Sequence, residues 1–263
     1  MSERTAAALL LDLDGTLYVG DAPLPGAVEA VRALVARDVP RRYLTNTTRF
    51  SRRALAERLV TMDFPIRDEE LFTPSLAAAR WLAAQGMKRV ALYLPAGARE
   101  DFADFELTDT EPQAIVVGDL GAAWNFATLN RAFRQLMNGA ALVALQKNRY
   151  WLTPDGLILD AGPFVAALEY ASGRSATVVG KPSAAFFELA AASLPVDPAQ
   201  RSRIVVVGDD VEVDVAGAQA AGMRGVLVRT GKFREDVLRQ SAVRPDRILA
   251  SVADVEELLD STR

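Results

Sequence analysis

Residues 6–16 read AAALLLDLDGT, an apolar run that ends abruptly in two carboxylates. The run from Ala6 to Leu11 is short and wholly apolar, which predicts a buried β-strand. Asp12 and Asp14 follow at once, and Gly15 allows the chain to turn sharply after them. Buried carboxylates are costly unless a partner compensates their charge, and a divalent cation is one such partner. The junction therefore predicts a functional site at the end of this strand, with an acidic turn after an edge strand as the alternative.

The composition narrows the chemistry, because the 263 residues include no histidine and no cysteine. Serine–histidine hydrolysis, a phosphohistidine intermediate, a cysteine nucleophile and histidine-based zinc sites are therefore excluded. Any acid, base or nucleophile has to be a carboxylate, Lys, Tyr, Ser or Thr. The absence of disulfides fits a reducing compartment, and we predict a cytoplasmic protein.

The overall charge and the apolar pattern restrict the partners. The formal net charge is −4, whereas a general nucleic-acid binder would carry a basic surface, so no nucleic-acid partner is expected. No apolar stretch approaches the roughly 20 residues that a membrane span needs, so no membrane partner is expected either. Half of the residues are apolar, which is enough for a sizeable buried core.

Strand and helix patterns alternate along the whole chain, which predicts an α/β protein with a doubly wound parallel sheet. The predicted strands are residues 6–11, 41–44, 89–94, 115–117, 141–145, 176–179, 204–207 and 225–228. The predicted helices are residues 27–37, a helix capped by Ser51 that runs to about residue 62, 75–85, 129–137, 163–171, a helix with Pro182 in its first turn, and 253–259. Residues 150–159 read as a hairpin, because the Asp155-Gly156 pair favours a tight turn.

Four polar clusters each follow an apolar run directly. They are Asp12 with Asp14, Thr45 with Asn46, Lys181, and Asp209 with Asp210. The carboxyl ends of parallel strands lie along one edge of an open sheet, where ligands bind, so the clusters converge if their strands share one sheet.

The residue types in these clusters suit phosphoryl transfer. Asp12, Asp14 and Asp209 offer hard oxygen ligands for Mg²⁺. Lys181 offers a compact positive charge to a phosphate, and the loop that Thr45 begins offers hydroxyl and backbone N–H donors. Phosphoryl transfer depends mainly on positioning and charge neutralisation.

Each cluster also has a plainer interpretation. Lys181 is a solvated loop lysine in that case, and Thr45 only caps a turn. Asp210 and Asp214 then hydrogen-bond backbone amides where the next helix begins. Taken together, however, the four clusters favour the site.

Four motifs resemble those of the haloacid dehalogenase-like hydrolase superfamily: DLDGT (residues 12–16), TN (45–46), GKP (180–182) and GDDVEVD (208–214). The long gap between Thr45 and Lys181 is similar to the α/β cap insertion of the NagD-like branch. The resemblance implies a doubly wound parallel (Rossmann-like) core sheet with an inserted α/β cap domain. The corresponding domains are a core hydrolase domain formed by residues 1–75 and 178–263, and a cap domain formed by residues 76–177.

The resemblance also implies a Mg²⁺-dependent phosphatase that hydrolyses a phosphate ester through an aspartyl-phosphate intermediate. Asp12 would be the nucleophile, and Asp14 would act first as acid and then as base. The resemblance further implies three groups of supporting residues. Mg²⁺ would be held by the Asp12 and Asp209 carboxylates and the Asp14 backbone carbonyl. The phosphoryl oxygens would be bound by Thr45, Asn46 and Lys181. Further support would come from Asp210 and Asp214.

The middle section is predicted to close over the site as a lid and to contact the leaving group. The candidate specificity residues are Lys147, Asn148, Arg149, Tyr150, Asp160 and Gly162, for which a solvated surface is at least as good an interpretation. Trp124 and Trp151 are expected to pack rather than to bind ligand. The expected partners are a small phosphorylated substrate and, by resemblance, a second copy in a homodimer.

Two other functions compete with the phosphatase. Halide displacement from a 2-haloacid needs neither Mg²⁺ nor an acid at position 14, so the presence of Asp14 and Asp209 disfavours it. A ligand-binding or regulatory module built on a degenerate hydrolase fold predicts the loss of a motif residue, and every motif residue is present.

Overall fold

A computed structural model of the protein describes residues 5–153 and 156–259. The strands are β1 (Ala8–Asp12), β2 (Tyr18–Val19), β3 (Ala22–Pro23), β4 (Arg41–Leu44), β5 (Leu71–Phe72), β6 (Arg89–Tyr93), β7 (Glu106–Leu107), β8 (Ala114–Val117), β9 (Ala141–Ala144), β10 (Tyr150–Thr153), β11 (Gly156–Leu159), β12 (Thr177–Val178), β13 (Ile204–Gly208), β14 (Arg224–Val228) and β15 (Arg247–Leu249). The α-helices are α1 (Ala27–Ala36), α2 (Arg52–Thr61), α3 (Pro74–Ala84), α4 (Phe126–Met137), α5 (Ala161–Ser172), α6 (Ala184–Ala192), α7 (Ala216–Ala220) and α8 (Glu235–Gln240). Short 3-10 helices span Asp68–Glu70, Ala96–Phe102, Gly121–Ala123, Pro198–Arg203 and Val252–Leu258, and a π-helical turn spans Val211–Val215.

The described residues divide into two compact units. The first unit contains residues 5–45, 55–72 and 181–259, and the second contains residues 46–54, 73–153 and 156–180. These limits lie three residues from the predicted boundaries after residues 75 and 177, and residues 46–54 fall in the second unit rather than with the core segments. The assignment of core and cap domains to these segments stays a prediction.

The first unit is built on a six-stranded parallel sheet with the order β15-β14-β13-β1-β4-β5. All five residues of β1 are buried, as expected for a strand of a parallel sheet that is covered on both faces. Apolar side chains from β1, β13 and β14 join those of α1 and α2 in one core. The edge strands β5 and β15 have two and three residues, too few for a periodic pattern to reveal.

The second unit has its own five-stranded parallel sheet, with the order β12-β9-β8-β6-β7. Its core includes a stack in which Trp124 lies between Tyr93 and Phe164, with ring centroids 5.5 and 4.9 Å apart. The packing role expected of Trp124 is therefore confirmed. The predicted hairpin is confirmed as the antiparallel pair β10 and β11, whereas Pro154, Asp155 and the side chain of Trp151 lie outside what the structure describes.

The last third of the chain differs in three details from what the sequence suggested. The strand predicted at 176–179 is β12, which pairs with β9 in the second unit and not with the sheet that contains β1. Helix α6 begins at Ala184 with Ser183 as its N-cap, so Pro182 lies before the helix and not in its first turn. The helix predicted at 253–259 is present as a 3-10 helix, Val252–Leu258, whose first turn is capped by Ser251.

Candidate active site

Two catalytic candidates leave neighbouring strands at the same edge of the six-stranded sheet. Leu11 of β1 pairs with Val207 of β13, and Asp12 and Asp209 follow these residues by one and two positions. Asp12, Asp209 and Asp214 are all buried, and each places a carboxylate oxygen within 4.8 Å of the other two. The predicted convergence of Asp12 with Asp209 is therefore present in the structure, and Asp214 joins them.

Lys181 lies between two of these acids. Its Nζ donates hydrogen bonds to Asp12 Oδ1 and to Asp214 Oδ1, the latter at 2.7 Å. Only 4% of the residue is exposed, so Lys181 is not a solvated loop lysine. Burial opposes the ammonium charge, but the attraction of Asp12 and Asp214 outweighs it and raises the pKa of Lys181, which stays protonated.

The negative and positive charges of the buried group formed by Asp12, Asp209, Asp214 and Lys181 do not balance. Among the described residues the group contains three buried carboxylates, and Lys181 is its buried cation. Burial, with added repulsion from Asp12, raises the pKa of Asp209 to about 8, and burial raises that of Asp214 to about 6. A divalent cation that prefers oxygen ligands would supply the missing positive charge, so the donor set fits Mg²⁺.

The loop after β14 closes over Asp209. Its Lys232 N–H donates to Asp209 Oδ2 at 2.7 Å, and the Thr230 hydroxyl donates to the Gly15 carbonyl at 2.6 Å. Gly15 and Gly231 both have positive φ, and a Cβ at either would overlap Asp209 Oδ2. The loop follows β14 directly, just as each of the four polar clusters follows an apolar run. This placement after a strand was the sequence signal that could have identified the loop as part of the site.

Asp14 has a different environment from Asp12. Its side chain is exposed, and its Oδ2 accepts a hydrogen bond from the Tyr18 hydroxyl at 3.2 Å. The Arg58 guanidinium lies 5.1 Å from the centre of the Tyr18 ring and forms an ion pair with Asp21 at 2.9 Å. Neither Tyr18 nor Arg58 carries a sequence signal, because an isolated tyrosine in a short strand and an arginine on a helix are ordinary.

Thr45 and Asn46 fall in different units. Thr45 is buried directly after β4. The end of β4 is hydrogen-bonded to the chain that follows β1, because the Leu13 N–H donates to the Leu44 carbonyl at 3.0 Å. Asn46 belongs to the second unit, where its side-chain oxygen lies beside Gly180. Binding of phosphoryl oxygens by either residue stays a prediction.

Asp210 and Asp214 have separate structural roles. Asp210 Oδ1 accepts hydrogen bonds from the Glu212 and Val213 amides at 3.0 and 3.1 Å, so it caps the π-helical turn. Asp214 instead uses one oxygen for Lys181 and the other for the Asp210 amide at 3.2 Å. The capping interpretation thus describes Asp210, whereas Asp214 contacts Lys181, and a supporting role of either acid in catalysis stays a prediction.

Several of the candidate specificity residues hold one loop of the second unit together. Asp160 Oδ1 accepts a hydrogen bond from the Ala161 amide at 2.7 Å, and the Gly162 amide donates to the Asn148 carbonyl at 3.0 Å. Lys147 forms an ion pair with Glu169 at 2.8 Å. Arg149 lies in the same loop and Tyr150 begins β10, and a role in specificity stays a prediction for all six candidates.

Comparisons with known proteins agree with this fold and identify the family. A family model described as haloacid dehalogenase-like hydrolase matches residues 9–108, and one described as HAD-hydrolase-like matches residues 178–255. The chain is 46% identical over 233 residues to haloacid dehalogenase-like hydrolase domain-containing protein 2 of Bos taurus, covering 89% of this chain and 88% of that protein. It is 38% identical over 257 residues to phospholysine phosphohistidine inorganic pyrophosphate phosphatase of Rattus norvegicus, covering 95% and 93%.

Solved structures show the same architecture. The p-nitrophenyl phosphatase of Archaeoglobus fulgidus superposes with a TM-score of 0.89 at 29% identity, covering 97% of this chain and 100% of that one. NagD of E. coli K-12 superposes with a TM-score of 0.87 at 26% identity, covering 95% and 98%.

A doubly wound α/β core with an inserted α/β cap, and with clustered aspartates after its first strand, defines a hydrolase of the phosphatase class. The chain belongs to the haloacid dehalogenase-like hydrolase family, in its NagD-like branch.

Proposed function

We propose that this phosphatase depends on Mg²⁺ and hydrolyses a small phosphate ester through an aspartyl-phosphate formed on Asp12. The observation that carries the proposal is the buried contact of Asp12 with Lys181, with Asp209 and Asp214 at its side. A nucleophile held at the base of the site by a cation, next to a set of oxygen ligands, is what phosphoryl transfer requires.

The difference in exposure between Asp12 and Asp14 supports their separate roles. A buried Asp12 oxygen attacks phosphorus, and the bond from phosphorus to the leaving oxygen breaks. Asp14, on the exposed side, gives that oxygen its proton and then takes one from the water that attacks the aspartyl-phosphate. Inorganic phosphate leaves, and the Asp12 carboxylate is restored.

The proposed Mg²⁺ ligands are the carboxylates of Asp12 and Asp209 and the backbone carbonyl of Asp14. The ion would neutralise charge on the transferring phosphoryl group. Lys181 fixes the orientation of Asp12 and stays charged, while Asp214 holds Lys181 in place. Thr45 and Asn46 are proposed to bind phosphoryl oxygens.

A panel of phosphate esters, assayed with and without Mg²⁺, tests the function. We expect turnover of at least one ester class with Mg²⁺ and none after chelation. Activity on 2-haloacids that survives a chelator would favour halide displacement. Mg²⁺-dependent binding of esters without turnover would favour a regulatory module.

Replacing Asp209 by Asn tests the proposed metal ligand. The amide keeps the shape but removes the negative charge, so the Mg²⁺ concentration for half-maximal activity is expected to rise about tenfold or more. The measurement is the initial rate with p-nitrophenyl phosphate as Mg²⁺ is added back to chelated enzyme. Asp104→Asn, at an exposed position of the second unit, is the control. An unchanged Mg²⁺ requirement in Asp209→Asn contradicts the assignment.

Replacing Tyr18 by Phe tests whether Tyr18 positions the proposed acid. Loss of the hydroxyl frees Asp14, so kcat/KM for an alkyl phosphate is expected to fall about fivefold. The same parameter for p-nitrophenyl phosphate should change less than about twofold, because nitrophenolate leaves without a proton. Tyr43→Phe removes another buried hydroxyl, which is bound to Arg41, and serves as control. Equal losses on both substrates would indicate a purely structural role.

Closure of the second unit over the site, specificity through the six candidate residues of that unit, a homodimer and a cytoplasmic location are further parts of this proposal. No helix in the described ranges is both long enough and apolar enough to be a membrane span.

A further inference from the structure

The second unit contains a large open cavity that has no part in the proposed catalytic chemistry. Its volume is about 990 Å³, and it is lined by the start of β6, by the chain that leads into β8, by one face of α4 and by the short connection from α4 to β9. These segments lie at the amino-terminal edge of the five-stranded sheet. None of the predicted catalytic, metal-binding or specificity residues lines it.

Side-chain hydrogen bonds fix the walls of this cavity. The Gln135 side chain is buried, donates to the Asp109 carbonyl at 2.9 Å and accepts from the Tyr93 hydroxyl at 2.7 Å. The Gln113 side-chain oxygen accepts from the Lys88 and Arg89 amides at 2.8 and 3.0 Å. The cavity is therefore preformed, which lowers the ordering cost of binding.

The face of α4 that lines the cavity is polar. Asn130, Arg131, Arg134 and Asn138 recur at three- and four-residue intervals, so they share that face. Arg131 forms an ion pair with Asp109 at 3.1 Å, which offsets the charge of that acid.

Two more arginines add positive charge to the lining of the cavity. Arg89 at the start of β6 and Arg134 on α4 are exposed, and within residues 5–153 and 156–259 neither guanidinium forms an ion pair. Arginine presents a planar set of donors that matches phosphate with paired hydrogen bonds. Glu111, also in the lining, offers acceptors that a bare phosphate cannot use but a hydroxyl or amino group can.

We propose that this cavity is a second ligand site, which binds a phosphate-bearing small molecule of about nucleotide size. Arg89 and Arg134 contact its phosphates, and Asn130, Asn138 and Glu111 contact its hydroxyl or amino groups. The volume lies within the range of roughly 300–1,000 Å³ that small-molecule sites occupy. The site is independent of the phosphatase chemistry proposed above.

Binding of a methylene-bridged ATP analogue, whose terminal phosphate is held by a P–C bond, tests the proposal on the full chain. Calorimetry gives the affinity, and hydrogen–deuterium exchange locates the ligand. We expect protection of residues 106–113 and 126–139 in the wild type. The Arg89→Ala/Arg134→Ala variant should lose affinity by about tenfold or more, because charge-assisted hydrogen bonds disappear. Its turnover of p-nitrophenyl phosphate should equal that of the wild type.

Arg174→Ala is the matched control, because Arg174 is an exposed arginine of the same unit that does not line the cavity. It should keep the wild-type affinity. The proposal is overturned if both variants bind like the wild type or lose affinity equally, or if protection is confined to residues 9–18 and 204–214. Citrate that binds as tightly as the analogue would overturn the assignment to phosphate. A failure of the phosphatase panel leaves the binding result unaffected, so the two proposals fail separately.

Discussion

Asp12→Asn is expected to reduce turnover by at least about a thousandfold while the protein stays folded. An amide cannot form the acyl-phosphate, and removal of a nucleophile costs a covalent enzyme most of its rate enhancement. Acid-quenched wild-type enzyme, mixed with substrate and Mg²⁺, should gain the mass of one phosphoryl group. The variant should gain none.

The stability of Asp12→Asn separates chemistry from folding. Burial raises the pKa of Asp12, so its charge is costly in the folded protein, and its removal relieves repulsion with Asp209 and Asp214. This gain offsets the weaker bond to Lys181, and the free energy of unfolding should fall by no more than about 1 kcal/mol. Asp104→Asn is the control for the change of charge. Near-normal turnover in folded Asp12→Asn would refute the mechanism.

Lys181→Met is expected to impair both activity and stability. The substitution leaves Asp12 and Asp214 buried next to each other without their cation, and breaking a buried ion pair in this way costs about 3–5 kcal/mol. Activity should fall by at least about a hundredfold, because Asp12 loses its orientation and the phosphoryl group loses a positive charge. Denaturation in the presence of a chelator measures the stability, and the rate with p-nitrophenyl phosphate measures the activity.

A double variant distinguishes loss of pairing from loss of packing. Lys181→Met/Asp214→Asn removes one of the unpaired carboxylates, so it should be more stable than Lys181→Met by about 1–3 kcal/mol and equally inactive. Lys88→Met, at an exposed position, controls for the change from lysine to methionine. Wild-type stability in Lys181→Met would mean that the buried pairing contributes nothing to the folded state.

Local patterns were sufficient to predict the strands that carry the acids. A buried strand of a parallel sheet is apolar on both faces, and a carboxylate after it is conspicuous, so Asp12 and Asp209 could be read from spacing. The two-residue strand β5 and the three-residue strand β15 gave no such pattern. The Asp14 partner Tyr18 was also missed, because its role depends on where a hydroxyl points and not on periodicity.

The sequence by itself determined the α/β class and the absence of histidine and cysteine chemistry, and it singled out the candidate acids, because these depend on residue type and short spacing. The inserted section was recognised through the family resemblance of the long gap between Thr45 and Lys181. Only the tertiary structure decided how the distant groups meet. Lys181 lies 169 positions from Asp12 and follows a strand of the other sheet, yet its ammonium contacts the Asp12 carboxylate. Thr230 likewise contacts Gly15 across 215 positions. Such contacts are set by the path of the whole chain and by the burial of charge, which no local window of sequence contains.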